Sequence, residues 1–181
     1  MYEDLTAHLG FERSSDEYKV MAMASYGTPL YLDHFRQRVY ATPEGGFRTE
    51  PIDWGSFAAA RRPGDAFDES HADLAATVQA ALEEVLLDLC GWLYSRTGNS
   101  RLALAGGVAL NCVANTRLLA ESPFSEIWVQ PAAGDSGTAL GAALAVAAEA
   151  GDDLEPMTTA ALGRRWSDTQ VELALSTARV P

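Results

Sequence analysis

The chain is poor in positive charge, cysteine and histidine. It has 13 lysines and arginines against 25 aspartates and glutamates, which gives a formal net charge of −12. Proteins that bind nucleic acid need clustered cations, so this charge balance argues against that function. The two cysteines and three histidines have no spacing typical of a disulfide framework or a metal-binding helix. Buried, reduced thiols are therefore expected, as in a cytoplasmic protein.

The sequence also lacks a long hydrophobic run. Its alanine-rich stretch, residues 140–150, is shorter than the ~20 apolar residues that a membrane span requires. The acidic first ten residues have no apolar core, so they do not resemble a signal peptide. The 181 residues, of which 48% are hydrophobic, are enough for one domain with its own core. These features predict a soluble, cytoplasmic protein.

Strand and helix patterns alternate along the chain and predict an α/β fold, a mixed sheet flanked by helices. The longest apolar periodicity, at residues 69–97, predicts one amphipathic helix that Gly98 ends. The other predicted elements are a helix at 15–27, a hairpin at 38–52, a loop with a short helical turn at 53–68, strands at 101–105 and 127–130, helices at 108–122 and 136–151, and a short helix within 165–178 capped by Ser167.

Two strand–turn–helix units follow one another in residues 102–143. The first turn is Gly106-Gly107 and the second is residues 134–137. Two such units would project their helix N-termini from the same edge of one sheet, with bare backbone amides aimed outward. This arrangement binds phosphate groups, and each nearby anionic group gains ~0.3–1 kcal/mol from a helix dipole.

The first turn contains four candidate binding residues. Gly106 and Gly107 have no Cβ to keep a ligand from the main chain, and the amide of Val108 follows them. Asn111, one turn into the predicted helix, is a hydrogen-bonding candidate for a phosphate, a ribose or a transferred acyl group. The alternative is a Gly-Gly turn that only packs the helix against the strand.

Asp135 in the second turn and Lys19 in the first predicted helix each have two interpretations. Asp135 is either a metal ligand or a helix N-cap, and such a cap contributes ~0.5–2 kcal/mol. Lys19 is either a phosphate contact or a surface lysine whose aliphatic stem covers apolar neighbours.

Three blocks of the sequence resemble the signature blocks of the O-carbamoyltransferase family. The blocks occur in the same order as in that family and with similar spacing. The family includes nodulation-factor, tobramycin, cephamycin and novobiocin-type carbamoyltransferases. The resemblance covers roughly residues 2–165. The blocks are EYKVMAMASYG at 17–27, LALAGGVALNCVAN at 102–115 and IWVQPAAGDSGTALGAAL at 127–144.

The resemblance implies a ribonuclease-H-like lobe of the actin and sugar-kinase type, with nucleotide and metal in a cleft between two lobes. It implies that Gly106, Gly107, Val108 and Asn111 hold the adenylate and that Asp135 is a ligand of a divalent metal, expected to be Fe²⁺. Lys19 lies in a family block near the cleft. The implied cofactors are that metal, ATP or carbamoyladenylate, and Mg²⁺ for adenylate formation.

The resemblance further implies the activity and the partners. A YrdC-like domain makes carbamoyladenylate from carbamoyl phosphate and ATP, and the two-lobed domain transfers the carbamoyl group to a hydroxyl, here of a small-molecule, secondary-metabolite acceptor. Residues 1–165 would be the second, C-terminal lobe and residues 166–181 a tail or linker. The complementary N-terminal lobe, with its pair of metal-ligand histidines, and the YrdC-like domain are expected on another chain or missing from this one. The alternatives are a non-catalytic scaffold or regulatory subunit, or a lobe of another ATP-dependent enzyme such as a sugar kinase.

Overall fold

The computed structural model describes residues 1–161 and 163–178. These divide into two compact units, Met1–Ala139 and the described residues from Leu140 onward. Within the described residues the helices are α1 Tyr2–His8, α2 Glu17–Ala24, α3 Leu32–Arg36, α4 Glu69–Thr97, α5 Cys112–Glu121, α6 Ser136–Ala150 and α7 Asp168–Ala178. The strands are β1 Val39–Ala41, β2 Phe47–Thr49, β3 Arg101–Leu104 and β4 Glu126–Val129.

The long helix α4 has the predicted bounds because both of its ends are capped. At its start, the Asp68 carboxylate accepts from the His71 amide at 3.2 Å, and the His71 Nδ1 accepts from the Asp68 amide at 3.1 Å. At its end, Gly98 adopts the left-handed conformation with φ 61°. Reciprocal bonds at an N-terminus and a left-handed glycine at a C-terminus satisfy the backbone groups that helix ends leave open.

The first half of α4 is the centre of the larger hydrophobic cluster. Helices α1, α2 and α3 and strand β1 pack around it, and Leu5, Val20 and Phe35 are fully buried there. The short helices α1 and α3 were not predicted from the sequence. Helices of seven and five residues are too short to be stable alone, so this packing stabilises them.

Gly27 allows the chain to pass directly against α4. A Cβ at this position would overlap the backbone of Ala72. One residue later, the Thr28 amide donates a 2.7 Å hydrogen bond to the buried carboxylate of Asp73. The segment after α2 is therefore anchored to α4, and only glycine fits the closest approach.

The strands form two separate small sheets within the part of the chain that the structure describes, instead of one mixed sheet. The predicted hairpin is confirmed as β1 and β2, which are antiparallel with Val39 opposite Thr49. Strands β3 and β4 are parallel, with Leu102 opposite Ile127. The two sheets belong to different hydrophobic clusters, since Val39 packs in the first and Leu102 in the second. The α/β class is thus confirmed, while the single sheet is not what forms.

Among the described residues of the unit Met1–Ala139, helices pack against one face of the parallel sheet. Leu102 and Ile127 pack in the second cluster, with residues of α4 and α5 such as Leu118. The alternate residues Ala103 and Trp128 are exposed, and Trp128 retains 51% of its accessible surface. Parallel sheets in proteins are almost always covered on both faces.

The second unit contains most of α6 and all of α7. No described residue of α6 is buried, and its Leu144 and Val146 are exposed. The Ser167 hydroxyl accepts from the Gln170 amide at 3.3 Å, and the Gln170 side chain accepts from the Ser167 amide at 3.0 Å. The cap predicted at Ser167 is therefore confirmed. Across the described residues, no helix combines the length and apolar character needed to cross a membrane.

Candidate functional site

The two turns predicted to bind a ligand lie side by side at the carboxyl ends of β3 and β4. Leu104 and Val129 are opposite each other at the ends of the strands. In the segments that follow the strands, the Gly106 amide donates a 2.7 Å hydrogen bond to the Ala133 carbonyl. We call residues 105–111 the first corner and residues 130–137 the second corner. The parallel pairing brings the corners together, as the sequence predicts.

The first corner offers backbone amides in open space. Gly106 has φ 97°, and a Cβ added at Gly106 or at Gly107 would meet no atom within 4 Å. The amides of Gly107 and Val108 have no hydrogen-bond acceptor among the residues that the structure describes. Val108 itself is 51% exposed. Unpaired, exposed backbone amides can donate hydrogen bonds to an anion.

Asn111 ends the first corner as the N-cap of α5, rather than lying one turn inside a helix. Residues Gly107–Leu110 form a 3-10 turn, and Asn111 is extended with ψ 91°, so the α-helix begins only at Cys112. The Asn111 Oδ1 accepts from the Ala114 amide at 3.0 Å. The side chain therefore starts α5 and at the same time borders the open turn.

Sequence reasoning missed a buried polar network that reaches Asn111. Its side chain exchanges two hydrogen bonds with Gln79 of α4, which is 5% exposed. Gln79 also bonds Tyr2 and Glu83, and the Glu83 carboxylate pairs with Arg117 at 3.0 Å. The available signal was the pair of polar residues four positions apart in the buried stretch of α4.

The pKa of one member of this network, Tyr2, is shifted mainly because the side chain is buried. Burial first, and then the negative charges of Glu83 and Glu17, raise the pKa of the Tyr2 hydroxyl well above its usual value. Tyr2 therefore keeps its proton at all physiological pH values and donates it to Gln79 at 2.9 Å.

Asp135 lies in the second corner with its carboxylate exposed. The amide and hydroxyl of Thr138 bond the main-chain carbonyl of Asp135, at 3.1 and 2.6 Å, and not its side chain. No described group donates a hydrogen bond to the Asp135 carboxylate, and no cluster of three metal-ligating side chains exists in residues 1–161 and 163–178. Asp135 alone thus offers one oxygen ligand, and the described residues do not by themselves fit a metal ion.

The corners contain no cationic side chain. Residues 102–116 and 127–148 include neither lysine nor arginine, and Asp135 is their single acidic residue. An anion here would depend on backbone amides and helix dipoles. It would also be repelled by Asp135 unless a cation lay between them.

Lys19 contacts neither corner. Its Nζ lies 2.8 Å from the Asp16 carboxylate and above the rings of Phe11 and Tyr18. The hydrogen bond from Lys19, followed by the one from the Glu12 amide, lowers the pKa of Asp16. The cofactor contact that the resemblance implies for Lys19 stays a prediction.

Comparison with known proteins gives consistent matches. Residues 1–144 match a family model described as Carbamoyltransferase N-terminus. An uncharacterized protein of Synechocystis sp. is 41% identical, over 81% of this chain and 26% of that protein. The nodulation protein NolO of Bradyrhizobium diazoefficiens is 43% identical, over 75% of this chain and 26% of NolO. The nodulation protein NolNO of Sinorhizobium fredii is 41% identical, over 83% of this chain and 23% of NolNO.

The chain spans about a quarter of the length of these curated relatives. The matched residues 1–144 include both corners and the whole of the polar network. From this match, the chain belongs to the O-carbamoyltransferase family.

Proposed function

We propose that this chain is the nucleotide-holding part of an O-carbamoyltransferase that uses carbamoyladenylate as its donor. The observation that supports the proposal most strongly is the first corner, where two unpaired amides, at Gly107 and Val108, lie beside open glycine backbone. The hydrogen bond from Gly106 to Ala133 holds this corner against the second one. The adenylate phosphate fits a site of this kind, because oriented amides bind anions without a lysine or arginine.

The transfer reaction is an acyl substitution at the carbamoyl carbon. The oxygen of the acceptor hydroxyl forms a bond to that carbon, and the bond from the carbon to the phosphate oxygen breaks, so AMP leaves. A carboxylate base takes the hydroxyl proton. The amides of Gly107 and Val108 stabilise the charge that develops on the departing phosphate, because fixed dipoles need no reorganisation during the reaction. The acceptor is a small molecule, and we propose a secondary metabolite.

A divalent metal is part of the proposal, although the described residues do not fit one unaided. We propose that Asp135 supplies one oxygen ligand and that the complementary lobe supplies the others. The metal expected is Fe²⁺, while Mg²⁺ accompanies ATP during adenylate formation. Such an ion, held in part by Asp135, would supply positive charge that offsets the negative charges of the carboxylate and the phosphate.

The uncovered faces of the molecule support the need for further polypeptide. Trp128 is exposed on the bare face of the parallel sheet, and Leu144 and Val146 are exposed on α6. Parallel sheets normally have both faces covered. We propose that residues 1–165 are the second, ribonuclease-H-like lobe of the catalytic domain and that residues 166–181 lead toward another domain. The complementary lobe and a YrdC-like domain complete the enzyme in the cytoplasm.

The complete enzyme provides the test. ATP, carbamoyl phosphate and a hydroxyl acceptor are mixed with this chain and its complementary parts, and AMP and carbamoylated product are measured. The proposal predicts AMP release that depends on the acceptor and falls at least about tenfold in Gly107→Ala, a loss of ~1.4 kcal/mol. If the chain is only a scaffold subunit, the rate of AMP release would be the same for the wild type and Gly107→Ala. A sugar kinase would release ADP and consume no carbamoyl phosphate, and either of these results would contradict the proposal.

A further inference from the structure

A reciprocal amide pair connects α4 to the first corner. The Nδ2 of Asn111 donates to the Oε1 of Gln79 at 2.9 Å, and the Nε2 of Gln79 donates to the Oδ1 of Asn111 at 3.1 Å. The two residues are 32 positions apart in the sequence. The pair therefore fixes the end of the first corner relative to the buried half of α4.

The orientation of the Gln79 amide is determined by two other groups. Its Oε1 accepts from the Tyr2 hydroxyl at 2.9 Å, and its Nε2 donates to Glu83 at 2.7 Å. Glu83 is paired with Arg117, so its carboxylate accepts and cannot donate. A flipped Gln79 would place its oxygen against that carboxylate. All four hydrogen-bonding positions of the Gln79 amide are occupied in the observed orientation.

The orientation of the Asn111 amide follows from that of Gln79. Its Oδ1 accepts from both Gln79 and the Ala114 amide, so both lone pairs are used. One hydrogen of its Nδ2 is bonded to Gln79. The second hydrogen has no acceptor within the described part of the chain. Asn111 thus has no acceptor capacity left and one donor that is free.

We infer that Asn111 acts toward the bound nucleotide only as a hydrogen-bond donor, through one N–H, and that Gln79 is the positioning residue that enforces this. The inference rests on the proposed function, since it assigns the ligand of the first corner. The partner of Asn111 is an oxygen that accepts, on the phosphate, the ribose or the carbamoyl group. Gln79 does not touch the ligand and acts through Asn111.

Asn111→Asp tests the donor role. Aspartate keeps an oxygen that caps α5, so α5 and the thermal midpoint are retained apart from a small loss. The ionised carboxylate accepts hydrogen bonds and cannot donate one, so the affinity of the full chain for ADP with Mg²⁺, measured by calorimetry, is expected to fall at least about tenfold. Thr116→Ser on the exposed face of α5 is the control and should leave ADP affinity unchanged. Equal affinity of Asn111→Asp and the wild type would overturn the donor role.

Gln79→Glu tests the positioning role through pH. In Gln79→Glu, a carboxylate oxygen replaces the Nε2 that donates to the Asn111 Oδ1 and to the Glu83 carboxylate. When the new carboxylate is protonated, it regains one O–H donor in place of these two N–H donors. Tyr2 and Arg117 are the other charged or titratable groups at this position, and neither changes its protonation state between mildly acidic and neutral pH. ADP affinity of Gln79→Glu is expected to rise as the pH is lowered from neutral, relative to the wild type at each pH.

The same samples give a spectroscopic measure. Addition of ADP to the wild type should shift one of the two Asn111 side-chain amide protons, the one not bonded to Gln79. In Gln79→Met, where this bond is lost, the difference in shift between the two protons should collapse and ADP should bind more weakly. A lower thermal midpoint with unchanged ADP affinity of the folded chain would make Gln79 purely structural and overturn the inference. Equal ADP binding by wild type and Gly107→Ala would instead contradict the proposed function.

Discussion

The amide of Gly106 donates a 2.7 Å hydrogen bond to the carbonyl of Ala133. These residues are 27 positions apart. Gly106 lies two residues after the end of β3, and Ala133 lies four residues after the end of β4. Because of this bond, the unpaired amides of the first corner and the carboxylate of Asp135 belong to one edge of the molecule. An anion held by the first corner would therefore lie near the one acidic side chain of the second.

The two glycines of the first corner should respond differently to alanine. Gly106 has φ 97°, so Gly106→Ala is strained and should lower the free energy of unfolding by about 1–3 kcal/mol. A Cβ at Gly107 meets nothing within 4 Å, so Gly107→Ala should change the free energy of unfolding by less than about 0.5 kcal/mol. Gly107→Ala should nevertheless weaken ADP binding, because the methyl group occupies the anion position. Denaturant titration and calorimetry measure both effects; unimpaired ADP binding by Gly107→Ala would place the phosphate elsewhere.

Asp135→Asn removes the negative charge from the second corner and keeps the size and shape of the side chain. Without divalent cations, removal of the negative charge should strengthen ADP binding, because repulsion of the phosphate is lost. In the enzyme assembled with the complementary lobe, Mg²⁺ or anaerobic Fe²⁺ should make the wild type bind ADP about tenfold more tightly than without the metal, and the variant should lose this gain. Glu149→Gln, which removes the next acidic residue along the chain, is the matched control. A cation dependence that survives in Asp135→Asn would exclude Asp135 as a metal ligand.

Gly27→Ala should destabilise the fold without involving the corners. The new methyl group would overlap the backbone of Ala72, and overpacking of this kind costs about 1–3 kcal/mol. Gly91 lies on α4 with open space around its Cβ position, so Gly91→Ala should stabilise the chain by about 0.5–1 kcal/mol. Thermal unfolding of both variants checks the difference in sign. A Gly27→Ala variant as stable as the wild type would mean that α2 and α4 are farther apart than described.

Stability should depend on pH through Glu84. The bidentate hydrogen bonds from Arg36, at 2.6 and 2.8 Å, lower the pKa of Glu84 from its ordinary value of 4.5 despite an opposing effect of burial. A lowered pKa in the folded state means that the stabilisation is present above the ordinary value and is lost as the pH falls through the folded value. Glu84→Gln should therefore show a smaller fall in thermal midpoint upon acidification than wild type. Glu44→Gln, at a residue with no ion pair in the described structure, should match wild type. If the thermal midpoint falls equally upon acidification in Glu84→Gln and in wild type, the stabilising ion pair between Arg36 and Glu84 is contradicted.

The sequence predicted the helices and strands whose ends are fixed by caps or turns within the same segment. Helix α4 has a left-handed glycine at its end, and the hairpin has a tight turn between its strands, so each was placed correctly. Helices α1 and α3 were missed because their stability comes from buried contacts of Leu5 and Phe35 with distant residues. Periodicity within a short segment contains no information about such contacts.

The candidate site shows the same division. The glycines of both corners were identified from the sequence because strand–turn–helix units have a local signature. The pair of Gln79 and Asn111 was missed, since it joins residues 32 positions apart and nothing in either segment indicates the other. The break before α5 was also missed: an extended residue at Asn111 interrupts a sequence that is otherwise compatible with one continuous helix.

The most direct test of the account is a titration of the isotopically labelled chain with ADP and Mg²⁺, followed by the amide resonances in solution. The account predicts saturable shifts at Gly107 and Val108, smaller shifts around Asp135, and their loss in Gly107→Ala. Shifts that are confined to other regions, or no shifts at millimolar ADP, would contradict it.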